Sequence, residues 1–199
     1  MLLTDTDILK AEPTLFSEAC FSSQVLCGGT NGIVAGTQFT ASGVDFTASG
    51  VTVGGVINLA AADGSIDGGF EIVSIIDSSH ITVSILRSDP AGSAIAVGSA
   101  SGLTWSIKTY APQIFIAEMQ LSHRLRCLPG WENATITLAE LENAEAVRLA
   151  GLQTLLGNLF GTLYGTFPAY TAETADVWQS HKDKCVRYRA MTELMVRGL

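Results

Sequence analysis

Three histidines, four cysteines and nineteen carboxylates are the side chains here that could bind metal or move protons. Catalysis would need some of them to converge as a nucleophile with its base, a carboxylate pair or a metal set. The spacing argues against this. His80 falls in a predicted hairpin turn, whereas His123 and His181 fall on two separate predicted helices. His181 lies on an apolar stripe, which is expected of a core or interface histidine rather than a ligand. No HExxH, GxSxG or acidic DxD-type cluster occurs. Cys20, Cys27, Cys127 and Cys185 are widely spaced and form no CxxC pair, so they are read as small core hydrophobes in a reducing compartment. Gly28-Gly29-Thr30-Asn31-Gly32 lacks the lysine of a phosphate loop and is read as a turn. Glu140, Glu142 and Glu145 suit the positive end of a helix dipole better than a cation. The expectation is a protein that is not an enzyme, with no cofactor and no metal.

Charge points to protein partners. The net charge is −8, opposite to the balance of a DNA binder that gains affinity by neutralising phosphates. Up to residue 110 the bases are Lys10, Arg87 and Lys108, against ten carboxylates. From His181 onward the balance reverses: Lys182, Lys184, Arg187, Arg189 and Arg197 face only Asp183 and Glu193. A basic tail on an acidic protein suggests a docking segment. Met-Leu-Leu followed at once by Thr4 and Asp5 does not read as a secretory signal. The uncharged run from Leu149 to Tyr170 is interrupted by Gln153, Asn158 and Pro168. It is therefore read as a buried helix and not a membrane span. Its Gly157, Gly161 and Gly165 series would let a neighbouring helix approach closely.

These residues need elements to position them. Thr4-Asp5-Thr6-Asp7 offers a helix cap, and Pro13 suits the first turn of a second short helix. From Val25 to Tyr110 Gly, Ser, Thr and Val dominate, and the apolar period becomes two. Phe70–Ile76 and Ile81–Leu86 read as a hairpin around Asp77-Ser78-Ser79-His80. Val51–Leu59 and Leu103–Tyr110 read as further strands. Residues 39–45 and 46–52 nearly repeat each other, Phe-Thr-Ala-Ser-Gly-Val followed by Asp or Thr. Pro112 restarts helix, with apolar residues at Ile114, Ala117, Leu121, Leu125 and Leu128. Thr137 and Glu140 have capping-box spacing and predict a helix running to about Gly165. Thr171 or Thr174 then caps a last helix, whose stripe is Trp178, His181, Cys185, Tyr188, Thr192, Met195 and Leu199. The expected fold class is α+β: a helical bundle body, residues 1–24 and 111–199, with an inserted small β-barrel or β-sandwich domain at 25–110. The terminal stripe, flanked by arginines, is expected to pack on a foreign polypeptide.

Leu3-Thr4-Asp5-Thr6-Asp7-Ile8-Leu9, followed by Glu12-Pro13-Thr14-Leu15-Phe16, resembles the start of the head–tail adaptor (connector) proteins of tailed bacteriophages. About twenty residues carry the resemblance, together with the layout of helices at both ends. It implies a structural neck protein of the virion, assembled in the host cytoplasm. Such proteins form a ring, generally of twelve copies, which docks under the portal protein, meets tail or neck proteins, and extends the channel for double-stranded DNA without reading its sequence. Carried over by the resemblance, the portal interface is Trp178, Arg187, Tyr188, Arg189, Met191, Leu194, Met195 and Leu199. The β-region departs from the all-helical members of the family. A β-rich decoration or host-binding module of the virion, with the helices as an oligomerisation stalk, is the alternative.

Overall fold

A computed structural model describes residues 2–18, 21–127, 137–141, 143–166 and 175–198. The chain divides into two compact units, residues 4–110 and residues 111 onward joined by the first three.

The first unit is built on six strands, β1 (Val25–Gly36), β2 (Gln38–Thr40), β3 (Val56–Ala60), β4 (Asp67–Ile75), β5 (His80–Ser84) and β6 (Gly98–Lys108). Every pairing is antiparallel, and the order β1-β2-β5-β4-β3-β6 closes on itself as a barrel. Alternation along the strands fills the interior with Val34, Phe39, Ile57, Leu59, Ile72, Ile81, Val83, Leu103, Trp105 and Ile107. The hairpin read from sequence is β4 with β5, in a register that pairs Ile72 with Val83 and Ile75 with Ile81. Its turn is held by Asp77, whose Oδ1 accepts the backbone N–H of Ser79 (2.8 Å) and of His80 (2.9 Å). The Ser79 N–H bond, and next the His80 ring whose Nδ1 stands 2.8 Å from Oδ1, stabilise the ionised carboxylate and lower its pKa to about 2.

The glycine-rich segment 28–32 is not the turn its composition suggests. It lies inside β1, where the register against β6 shifts on both sides of Gly32. A Cβ at Gly32 would lie 2.7 Å from Phe39 Cε2 and 2.8 Å from Trp105 Cδ1. The missing side chain is what admits the indole. Trp105 also meets Phe46, with ring centroids 5.7 Å apart, and its Nε1 donates to Asn31 Oδ1 at 3.3 Å. The near-repeat has a structural counterpart here. Phe39 and Phe46 both enter the core, and Gly43 and Gly50 both take the left-handed conformation, φ +77° and +76°.

Two helices, α1 (Asp5–Ala11) and α2 (Leu15–Glu18), belong to this unit. Thr4 precedes α1, and its N–H donates to Asp7 Oδ2 at 2.9 Å. Ile8, Leu9, Leu15 and Phe16 are buried. The carbonyl of Phe16 accepts from Lys108 Nζ (2.8 Å) and Asn58 Nδ2 (3.0 Å), and its ring meets Tyr110 edge-on at 5.0 Å. Asp5 is buried too; its Oδ1 accepts the Tyr110 N–H at 2.8 Å, and burial raises its pKa.

These contacts overturn the expected fold class. Among the described residues the chain is a closed six-stranded antiparallel barrel with five α-helices, not a helical bundle body with an inserted domain. The expected helical body needs residues 1–24 and 111–199 to pack as one, whereas α1 and α2 fall in the same compact unit as the barrel, where Ile8, Leu9, Leu15 and Phe16 are buried.

The second unit contains α3 (Ala111–Arg124), α4 (Ala144–Thr166) and α5 (Ala175–Gly198). α4 packs against both α3 and α5. Glu118, the one polar residue in the α3 stripe, accepts the N–H of Leu2 (2.6 Å) and of Leu3 (3.1 Å) through Oε1. The capping box of Thr137 closes only a 3-10 turn, Leu138–Glu140. A new start follows at Asn143, whose Oδ1 accepts the Ala146 N–H at 3.1 Å, and α4 begins there. Leu128, Thr171, Thr174 and Leu199, named above, lie outside the described residues.

Candidate protein interaction site

The stripe of α5 is used within the chain. His181, Cys185, Tyr188 and Thr192 are buried, and Trp178 and Met195 are half-buried. Tyr188 stacks on Phe160 of α4 at 5.9 Å and 11° between planes. Trp178 meets Tyr164 at 4.8 Å. The basic residues join in. Lys184 Nζ stands 4.7 Å from the Phe160 ring, Lys182 Nζ 5.3 Å from Trp178, and Arg187 Cζ 4.8 Å from Tyr188. Of these three contacts only that of Lys184 crosses to α4. Together with the Tyr188 and Trp178 rings it packs the stripe read as a portal anchor against α4.

Gly157 and Gly161 make this approach possible. A Cβ at Gly157 would sit 3.2 Å from Arg189 Cγ, and one at Gly161 3.4 Å from Cys185 Sγ. At Gly165 it would meet nothing within 4 Å. The eight residues carried over as an interface thus separate. Tyr188, Trp178 and Met195 face inward. Arg187, Met191 and Leu194 are exposed on the opposite side, Leu194 by 66%. Arg189 lies across the α4 glycines, and Leu199 is outside the described residues.

Opposite the inward stripe α5 has a second face. Val186, Ala190, Met191 and Leu194 are exposed there, interleaved with Arg187 and Arg197. A further feature escaped the sequence reading. α3 and α5 flank an open groove floored by α4. Its widest part is a cleft of ≈ 510 Å³ lined by Met119, His123, Arg124, Thr154, Arg189 and Glu193. It continues along Gln113, Ile116 and Thr162, with Gln120, Asn158 and Arg189 shared by both parts. The span from Gln113 to Arg124 is about 17 Å at helical rise. Arg124 Nη2 is paired with Glu193 Oε1 at 2.8 Å. Among the described residues no carboxylate is paired with Arg189. Phe115, Ile116 and Met119 are exposed along α3, Phe115 by 61%. The run Ile114-Phe115-Ile116 was the available signal, since three consecutive apolar residues cannot share one helix face.

In the barrel unit Glu71 and Arg87, 4% and 7% exposed, are enclosed groups of opposite charge. They form a two-pronged pair, Nη2 to Oε1 at 2.7 Å and Nε to Oε2 at 3.1 Å, which raises the Arg87 pKa. Arg87 Nη1 also donates to the Gly92 carbonyl. This is a structural clamp on the β5–β6 loop. No group of three or more His, Cys, Asp or Glu among the described residues is arranged to hold a metal ion. No helix among them is long and apolar enough to cross a membrane. Cys27 carries a thiol pushed up to about 11 by burial, which leaves it a poor nucleophile at neutral pH.

Compared with known proteins, the chain matches no family model, no curated protein and no solved structure.

Proposed function

We propose that this protein is a structural subunit of a tailed-phage neck, a head–tail adaptor that forms a ring under the portal and continues the DNA channel toward the tail. The observation that supports the reading is the two-faced character of α5. One face holds the helix to α4, while the other leaves Val186, Met191 and Leu194 in solvent beside Arg187 and Arg197. Apolar side chains ringed by arginine are the usual anchors of protein interfaces. In this reading the second face docks on the portal. The excess of carboxylates up to residue 110 suits a wall past which DNA slides without being gripped.

The test is capture of the full-length protein by an assembled portal protein of the same virion, followed by mass measurement of the complex. Leu194→Glu combined with Val186→Glu should abolish capture without lowering thermal stability. Capture that survives this pair but is lost on substituting exposed barrel residues would transfer the docking role to the barrel. That result favours the decoration or host-binding alternative.

A further inference from the structure

The groove between α3 and α5 is cationic at its wall and apolar at its rim, and the barrel has an end of the opposite character. Strands alternate in direction, so the β3–β4 turn and the β5–β6 loop leave the barrel at the same end. The two are adjacent, since a Cβ at Gly98 would lie 3.5 Å from Ile66 Cδ1. This end exposes Asp63, Asp67 and Asp89 together with Ile85 and Ile95. The loop bearing Asp89 is held in place before any contact, by the Glu71–Arg87 pair and by the Arg87 bond to Gly92. Across the groove stand Arg189, His123, Ile116 and Met119, all exposed.

We infer that the acidic end of one copy's barrel seats in the α3/α5 groove of a second copy, head to tail. The carboxylates meet Arg189 and His123, and Ile85 and Ile95 meet Ile116 and Met119. Because the two surfaces differ, each copy offers one of each, and the contact propagates instead of stopping at a pair. Opposed charge steers the encounter and makes it sensitive to salt. The inference builds on the ring-forming reading, but it is tested without a portal protein.

Sedimentation velocity of the full chain across a concentration series should show association that weakens as salt rises. Arg189→Glu should weaken it roughly tenfold or more, and so should Asp63→Lys with Asp89→Lys, since each sets like charges against one another. Mixing the two variants is the deciding arm. One intact groove and one intact barrel end remain between them, and the two reversed surfaces carry opposite charges, so the mixture should recover association that neither variant shows alone. If either variant fails to melt like the parent, Met119→Glu replaces the groove variant and Asp89→Asn the barrel variant. A monomer at every concentration, association indifferent to Arg189, or a mixture that stays monomeric overturns the inference. Portal capture by a protein that fails here would leave the adaptor reading standing and remove only this contact.

Discussion

The barrel unit and the helical unit solve the same problem, burying apolar surface, to different degrees of completion. In the barrel every strand has two partners, and part of the apolar outer surface is covered by α1 and α2. Two of its enclosed charges, Glu71 and Arg87, are paired with each other. The helical unit stops short. α4 is flanked on two sides, but the groove above it, the Phe115–Met119 edge and the far face of α5 remain open. The difference teaches where to look for interaction. A region that satisfies itself can tolerate exposed change, whereas a region with unfinished apolar surface has a use for a partner.

Breaking the barrel should have the largest effect. Trp105→Ala removes the side chain that Phe39, Phe46 and Gly32 enclose, and should cost about 3–5 kcal/mol in denaturant unfolding. Arg87→Met strands Glu71 near the barrel's end and should cost about 2–3 kcal/mol, with Glu71→Leu in the same chain recovering most of it. A double variant as unstable as the single would refute the view that the pair clamps the loop through charge. In the helical unit Gly157→Leu forces Arg189 and Tyr188 away from α4. It should cost about 1–2 kcal/mol, and the loss should appear only in the unfolding of that unit.

The smallest effects lie in pH. Asp5 has its pKa raised by burial above the ordinary 3.8. Its contribution is therefore fully present below that value and fades as pH rises through the folded value. Asp5→Asn keeps the acceptor for Tyr110 N–H and should make the barrel unit slightly more stable at pH 7. Asp77 runs the other way: lowered to about 2, it contributes above 3.8 and loses its contribution as pH falls toward 2. Asp77→Asn should lower stability at neutral pH in a thermal-melt series, with the gap from the parent closing as pH falls toward 2.

Local signals were legible wherever one force dominated. The β4–β5 hairpin follows from two arms of β-branched residues, and the start of α1 from Thr4 and Asp7. Gly28 to Gly32 misled because glycine serves two ends. It permits turns, and it also clears space beside a large ring, which only the partner strand reveals. Thr137 and Glu140 formed their reciprocal bonds, yet Asn143 restarted the helix a few residues later. The stripe of α5 was visible in full, but amphipathicity carries no statement of whether its complement lies in the same chain. That is why Tyr188 and Trp178 turned inward while Leu194 did not. Of the groove, only the α3 edge at Ile114-Phe115-Ile116 was legible, since its walls come from helices far apart in sequence.

Closure of the β-ladder has a consequence for life at high density. An open sheet would present a row of unsatisfied N–H and carbonyl groups, a template onto which another molecule's backbone can add without limit. Among the described residues each of the six strands already has a neighbour on both sides. Copies crowded together are thereby steered away from fibril-like growth, and recognition between them falls to side chains, whose pattern evolution can tune and whose contacts it can terminate.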